Sequence, residues 1–347
     1  MAVLEALLQA PPVPPQPPPS SPPPGGVPEV QGTGAPTDSL VLWRQRLARD
    51  STDGDAWLLV GRRYLGFAAP PAGRGGTRVP ADTAARRAAL DTAERAFLHV
   101  IALEGAAGDK ETVEGDSARV FRVAAWAARF RLALAEHGVA AAPDQWGPLP
   151  TDLRVPAVLE ELGENLLRDC PVNGVLLTAA DADTYGVWYM RFARGLRPDL
   201  LVLPFAAWST DPALRARLAS DLKLGRAGAG TDEAWLGALE RRRPVCVSMA
   251  FERPPEARPR LPWGARSVVW VAGAARNNPR VAPRDFVFTA LRLGLDAHDP
   301  WAEPTLALYT RAARATRALC EPMATFGVAT DVASCRRSRP EPRTRGS

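Results

Sequence analysis

The chain lacks the segments and motifs by which several large protein classes are recognised. No run of about eighteen apolar residues occurs, which predicts that no helix spans a membrane. The motifs Gly-x-Ser-x-Gly, His-Glu-x-x-His, Gly-x-Gly-x-x-Gly and Gly-x4-Gly-Lys-Ser/Thr are also missing. Their absence excludes the recognisable forms of α/β-hydrolases, zinc proteases, dinucleotide-binding enzymes and P-loop nucleotidases. The histidines His99, His137 and His298 are too scattered to indicate a catalytic group.

Lysine is nearly absent, because only Lys110 and Lys223 occur among 43 basic residues, which face 38 acidic ones. The net charge is +5, and residues 336–347, with five arginines and one glutamate, carry +4 of it. The pI of 9.4 is therefore a property of one end of the chain. This distribution does not indicate a surface that binds nucleic acid.

Cysteine is scarce, and the four residues Cys170, Cys246, Cys320 and Cys335 have neither metal-ligand nor redox spacing. We expect free thiols, mostly buried, in a reducing compartment, although a disulfide between two of them is compatible with the sequence. The first residues lack a basic segment and carry Glu5, so they resemble a signal peptide only weakly. The expected location is the cytoplasm, or the periplasm if the true start lies elsewhere.

Composition divides the chain into four parts. Residues 1–36 hold 12 of the 35 prolines, which predicts a disordered, partly polyproline II segment. A solvated linker is the favoured interpretation of this segment, and a docking motif is the alternative. Residues 37–150 form a predicted helical domain, and residues 151–335 form a predicted α/β domain with C-terminal helices. Residues 336–347 are predicted to be a basic, disordered tail.

The predicted helical domain contains a pattern typical of paired helices. Residues 55–104 resemble one degenerate tetratricopeptide repeat, interrupted by a loop insertion over 67–84. The matches to the repeat signature are Trp57, Gly61, Tyr64, Ala93 and Phe97. A plain helical hairpin is the alternative, because one repeat cannot form a solenoid alone. A further helix, buried on one face, is predicted over 116–137.

Residues 152–272 alternate between helical patterns and short β-branched runs. This alternation predicts a mainly parallel sheet flanked by helices, because parallel strands need crossover connections. The predicted strands are 175–178, 200–203, 244–249 and 267–271. The predicted helices are 155–169, 183–195, 211–222 and 231–241, and a further helical region is predicted over 282–320.

The most informative segment follows the first predicted strand. Asp181 and Asp183 stand beyond the carboxyl end of a strand, where open parallel sheets bind ligands. In an Asp-x-Asp sequence the two carboxylates can coordinate one Mg²⁺ or Mn²⁺. The alternative is capping, with Asp183 as the N-cap of the next helix. Tyr185, Trp188 and Tyr189 recur at helical spacing, which favours core packing over a sugar-stacking platform.

Residues 155–250 resemble the soluble C-terminal region of bacterial membrane glycosyltransferases of the protein O-mannosyltransferase-like type. That region commonly reads Gly-Asp-Asn-Asp-Thr-Tyr-Pro-Leu-Trp-Tyr, followed by Gly-x-Arg-Pro-Asp-Val before an apolar strand. The matching residues are Asp181, Asp183, Thr184, Tyr185, Trp188, Tyr189, Gly195, Arg197, Pro198 and Asp199, and the departures are Ala180, Ala182 and Gly186. The membrane part that carries catalysis in such enzymes has no counterpart here, so the resemblance implies a fold and a glycan-related origin rather than transferase activity.

Two functions follow as hypotheses. The first is a non-enzymatic interaction or accessory protein, whose helical pair contacts a protein partner and which needs no cofactor. The second is a glycosyltransferase-related enzyme, or a sugar- or nucleotide-binding protein. Its candidate ligand-binding residues are Asp181, Asp183, Thr184, Tyr185, Trp188 and Arg197. Asp181 and Asp183 are also its candidate ligands for a divalent cation.

Overall fold

The structure is a computed structural model that describes residues 36–69, 82–106, 112–225, 231–273, 286–328 and 335. The predictions made for residues 1–35 and 336–347 lie outside the described residues, as does most of the predicted loop insertion. Among the helices that are described, none is both long and apolar enough to cross a bilayer.

A layer of helices forms the N-terminal part of the described chain. Its members are α1 (Pro36–Arg49), α2 (Gly54–Ala68), α3 (Thr83–Ala106) and α4 (Val113–Gln145). Helices α2 and α3 form a closely packed pair, because a Cβ atom on Gly61 would lie only 2.4 Å from a ring carbon of Phe97. Trp57 is buried in the same pair, and its Nε1 donates to the carbonyl of Ser51 at 2.9 Å.

Helix α4 joins this layer to the rest of the molecule. Val120 and Val123 pack into the core of the α/β domain, whereas Ala124 packs into the core of the helical layer. The prediction of a single buried face was therefore wrong, because α4 is covered on two sides. The helix bends at Gly138, whose φ is 84°. Beyond the bend, the Val139 amide donates to the Asp221 carboxylate at 2.8 Å.

The α/β domain contains a five-stranded sheet in the order β2-β1-β3-β5-β4. The strands are β1 (Val175–Thr178), β2 (Leu201–Pro204), β3 (Val245–Ser248), β4 (Trp263–Arg266) and β5 (Val269–Ala272). β1 pairs in parallel with β2 and β3, whereas β5 pairs antiparallel with β3 and β4. The prediction of a mainly parallel sheet was wrong, since β4 has no β-branched residue and its hairpin with β5 left no sequence signal.

Helices cover the sheet and complete the domain. They are α5 (Ala157–Asp169), α6 (Asp181–Phe192), α7 (Phe205–Thr210), α8 (Pro212–Asp221), α9 (Asp232–Glu240), α10 (Thr289–Asp296), α11 (Ala302–Ala315), a 3₁₀ turn (Arg317–Leu319) and α12 (Cys320–Thr325). The central apolar strands β1 and β3 are buried along their whole length. The carboxyl ends of β1 and β2 face the helical layer, which positions the candidate site.

All four cysteines form disulfides, so the prediction of free thiols was wrong. Cys170 is bonded to Cys246, and Cys320 is bonded to Cys335. Their Cα atoms are 5.8 Å and 5.2 Å apart, within the range that disulfides require. Spacing along the chain could not show that the end of α5 lies beside β3, which follows it by 76 residues.

Candidate functional site

A pocket lies between the helical layer and the carboxyl ends of β1 and β2. Its cavity of about 250 Å³ is bounded on one side by helices α2, α3 and α4. The opposite side consists of the β1–α6 loop, the first turns of α6, and the segment from the end of β2 to the start of α8. This is the position at which open parallel sheets bind ligands, so it is the candidate functional site.

Charges of opposite sign line the two walls of this pocket. The helical layer contributes Arg62, Arg86 and Arg131, and the α/β domain contributes Asp181 and Asp211. The helical wall is therefore basic and the α/β wall acidic. The ionisable groups of opposite sign do not balance, because three guanidinium groups face two carboxylates.

Arg86 and Asp211 neutralise each other across the pocket floor. The Arg86 guanidinium donates to the Asp211 carboxylate at 3.4 Å, and both residues are buried. Its Nε also donates to the carbonyl of Ala68 at 3.0 Å. The Asp211 carboxylate accepts the amides of Ala213 and Leu214, both at 3.1 Å, and so caps helix α8. Both side chains are committed to joining the two layers.

Arg131 and Arg62 are the other two guanidinium groups of the pocket. Neither side chain forms an ion pair with any of the described residues. Burial lowers the pKa of the Arg131 guanidinium, while Tyr185, Asp211 and Asp181 oppose that shift. Arg62 is exposed at the pocket mouth, with its guanidinium carbon 5.1 Å from the centre of the Phe121 ring. The helical wall therefore presents an excess of positive charge to the cavity.

The Tyr185 hydroxyl lies between the positive and negative groups of the pocket. Burial raises the pKa of this hydroxyl well above its usual range, and the neighbouring Asp181 carboxylate acts in the same direction. Arg131 and Arg62 oppose the shift, so all three charged groups are close to the phenol. The hydroxyl therefore stays protonated at neutral pH and is available as a hydrogen-bond donor.

Asp183 lies underneath the loop that carries Asp181. It is fully buried, and its carboxylate accepts the amides of Ala179 at 3.0 Å and Ala180 at 2.8 Å. Burial raises the pKa of Asp183 to about 6, against the effect of a hydrogen bond from Ser248. Helix α6 begins at Asp181 and its N-cap is Ala180, so the prediction that Asp183 is the N-cap was wrong. Asp183 is the third residue of the helix, and its side chain reaches back to hold the loop.

The two aspartates of the Asp-x-Asp sequence thus face different surroundings. Asp181 lines the cavity, whereas Asp183 would have to release two backbone amides before it could share a metal ion. In the part of the chain that the structure describes, no group of three or more His, Cys, Asp or Glu residues is placed to hold a metal ion. A divalent cation at this loop stays a prediction.

Thr184 lines the pocket together with Tyr185, and their role in binding a ligand stays a prediction. Its hydroxyl donates to the Thr178 hydroxyl at 2.8 Å, which ties the start of α6 to the end of β1. Trp188, by contrast, is buried in an aromatic cluster, with its ring 5.3 Å from that of Trp146. Of the three aromatic residues at helical spacing, Tyr185 therefore lines the pocket, whereas Trp188 and Tyr189 pack in the core.

Arg197 lies at the other end of the sheet, away from the pocket. It donates to the carbonyls of Leu167 and Cys170 at 2.8 Å and 3.0 Å, and it pairs with Asp199 at 2.9 Å. The Arg197 guanidinium lowers the pKa of the Asp199 carboxyl to about 2. The sequence Arg197-Pro198-Asp199 therefore stabilises the connection into β2 and makes no contact with Asp181.

Sequence reasoning did not find the residues that set the charge of the pocket. Arg62, Arg86 and Arg131 belong to the helical layer, and nothing in a chain so rich in arginine distinguishes them. Asp211 does carry a signal, because an aspartate followed by Pro212 is typical of a helix N-cap. Comparisons with protein-family models, with curated proteins and with solved structures found no significant match to this chain.

Proposed function

We propose that this chain is a non-enzymatic binding protein whose ligand is a small anionic molecule held in the pocket between the two layers. The observation that carries the proposal is Arg131, a half-buried guanidinium that lines the cavity without an ion pair among the described residues. A charge removed from water is costly unless another charge compensates it. Asp211 and Asp181 compensate part of the Arg131 charge without forming an ion pair with it, and a bound anion would complete the compensation.

The size of the cavity restricts the class of ligand. The cavity of about 250 Å³ is slightly smaller than the roughly 300–1,000 Å³ that is usual for ligand pockets. A compact metabolite fits this space better than a nucleotide sugar does. The hypothesis of a nucleotide-sugar enzyme is therefore less well supported than binding of a small anion.

Calorimetric titration of the whole chain with phosphate, sulfate, acetate and small dicarboxylates tests the proposal. We expect at least one of these anions to bind, and Arg131→Gln to weaken its binding about tenfold or more. Arg62→Gln should weaken the same anion less, because Arg62 is exposed at the mouth.

Arg63→Gln is the matched control, since Arg63 is exposed on the same helix but does not line the pocket. Unchanged binding in Arg131→Gln, or equal losses in the Arg62 and Arg63 variants, would show that the pocket is not the anion site. The protein partner predicted for the helical pair stays a proposal. We assign no residues to it, because helices α2 and α3 also form part of one wall of the pocket.

A further inference from the structure

We infer that the ligand carries an ammonium group in addition to carboxylates, so that its chemical class is a small acidic amino acid. The inference rests on the proposed function and specifies which chemical groups of the ligand the pocket recognises. It follows from three features of the site: the charges that remain after internal pairing, the backbone amides already in use, and the size of the cavity.

The first feature is the charge pattern that remains once Arg86 and Asp211 have paired. Arg62 and Arg131 are left on the helical wall, and Asp181 is left on the opposite wall. Two positive groups and one negative group are complementary to a ligand with two carboxylates and one ammonium. An entirely anionic ligand, such as a phosphate monoester, would instead place its charge beside the Asp181 carboxylate.

The second feature is the way in which the loop amides are used. Loop amides can bind an anion, but Asp183 already accepts those of Ala179 and Ala180, the two residues that precede helix α6. Arg62 and Arg131 are charged donors in the lining, and the planar fork of a guanidinium group matches a carboxylate. The Asp181 carboxylate has about four acceptor positions, so it can receive both the Tyr185 hydroxyl and an ammonium group.

The third feature is the cavity itself, which suits a short aliphatic ligand with charged ends. Its volume of about 250 Å³ accommodates a molecule on the order of ten non-hydrogen atoms. Leu65, Phe121 and Ala207 supply apolar lining between the charged groups. Methylene groups of an amino dicarboxylate would contact these side chains, while its charged groups contact Arg62, Arg131 and Asp181.

Two matched ligand pairs test the inference by calorimetry on the whole chain. L-glutamate and glutarate differ only in the amino group, and so do L-aspartate and succinate. We expect the amino acid of at least one pair to bind about tenfold more tightly than its partner. In Asp181→Asn this preference should fall to about twofold or less while the dicarboxylate still binds, and Arg131→Gln should weaken both members of the pair. Circular dichroism checks that each variant is folded, and Asp181→Ser replaces Asp181→Asn if the latter is not.

The outcomes separate the two proposals. A dicarboxylate that binds wild type as tightly as its amino acid, or an unchanged preference in the Asp181 variant, overturns the inference and leaves the proposed function standing. Binding of phosphate alone has the same consequence. If no small anion binds, the proposed function itself fails.

Discussion

Asp183 is a single carboxyl whose surroundings make the stability of the whole chain depend on pH. It is fully buried, and burial raises its pKa to about 6, whereas an aspartate in the unfolded chain titrates near 3.8. The folded state therefore binds a proton at this site more readily than the unfolded state does. Its contribution to the free energy of unfolding is fully present below about pH 4 and is lost as the pH rises through about 6.

The size of this effect can be measured. A difference of about two pH units corresponds to a loss on the order of 2–3 kcal/mol between pH 4 and pH 7. Urea unfolding of wild type and Asp183→Asn at pH 4, 5, 6 and 7 should show that loss in wild type and not in the variant. The variant should be less stable at every pH, because its amide can accept only one of the two loop amides. Parallel pH profiles for the two proteins would mean that another group carries the dependence.

The sequence predicted part of this local arrangement and missed the rest. An aspartate near the start of a helix correctly indicated a carboxylate that accepts backbone amides there, but Ala180 and not Asp183 is the N-cap. The sequence could not show that the residue is the third of the helix or that Ser248, on a distant strand, hydrogen bonds to it. Such contacts depend on strand order, which short-range patterns do not contain.

At the scale of the element, the close packing of helix α2 against helix α3 depends on the absence of a side chain at Gly61. A methyl group at Gly61 would overlap the Phe97 ring, which is completely buried and cannot move into solvent. We expect Gly61→Ala to lower the free energy of unfolding by about 1–3 kcal/mol, as overpacking of a core commonly does.

Gly66 provides the control for this substitution on the same helix. A Cβ atom there would meet nothing within 4 Å, so Gly66→Ala should raise helical stability by up to about 1 kcal/mol. Thermal and urea unfolding of the two variants measure the difference. Equal effects at the two positions would mean that the helices do not approach closely at Gly61.

The pairing of Arg86 with Asp211 joins helix α3 to helix α8. Asp211→Asn should cost about 3–5 kcal/mol, because it leaves the buried Arg86 uncompensated. Arg86→Met should cost less, since the Asp211 carboxylate still caps α8. The double variant should lose less than the sum of the single losses, as a double-mutant cycle of urea unfolding will show. Additive losses would contradict a direct interaction.

Most elements of the α/β domain could be predicted, because their residues repeat a local pattern. Strand β1 coincides with the predicted 175–178, and helix α5 lies within the predicted 155–169. The short helix α7 and strand β4 were missed, since neither contains a periodic apolar pattern. The sequence pointed only to the Asp181 side of the pocket, because its basic wall comes from arginines that lie far from Asp181 along the chain.

At the scale of the whole molecule, the two disulfides stabilise the chain to different extents. Restricting the unfolded chain should contribute about 4.5 kcal/mol for the bridge that spans 76 residues and about 3 kcal/mol for the one that spans 15. Replacing Cys170 and Cys246 by alanine should therefore lower the free energy of unfolding more than replacing Cys320 and Cys335.

Urea unfolding with and without a reductant measures both contributions. The reductant should destabilise wild type and each of the two variants, because each variant keeps one disulfide. The opposite order of stability, or no effect of the reductant, would contradict this account. Since disulfides persist in oxidising surroundings, we also expect mass spectrometry of the native protein to show all four cysteines oxidised.

The Cys170–Cys246 bridge closes a covalent ring, and every residue that the α/β domain contributes to the pocket lies within that ring. The three arginines all lie outside it, on the helical layer. Proteolysis would therefore divide the pocket by the sign of its charge. A single cut inside the ring leaves the acidic wall in one covalent body, whereas a cut after α4 removes all the guanidinium groups together. The C-terminal fragment would keep the acidic residues and repel the anion that the intact chain attracts.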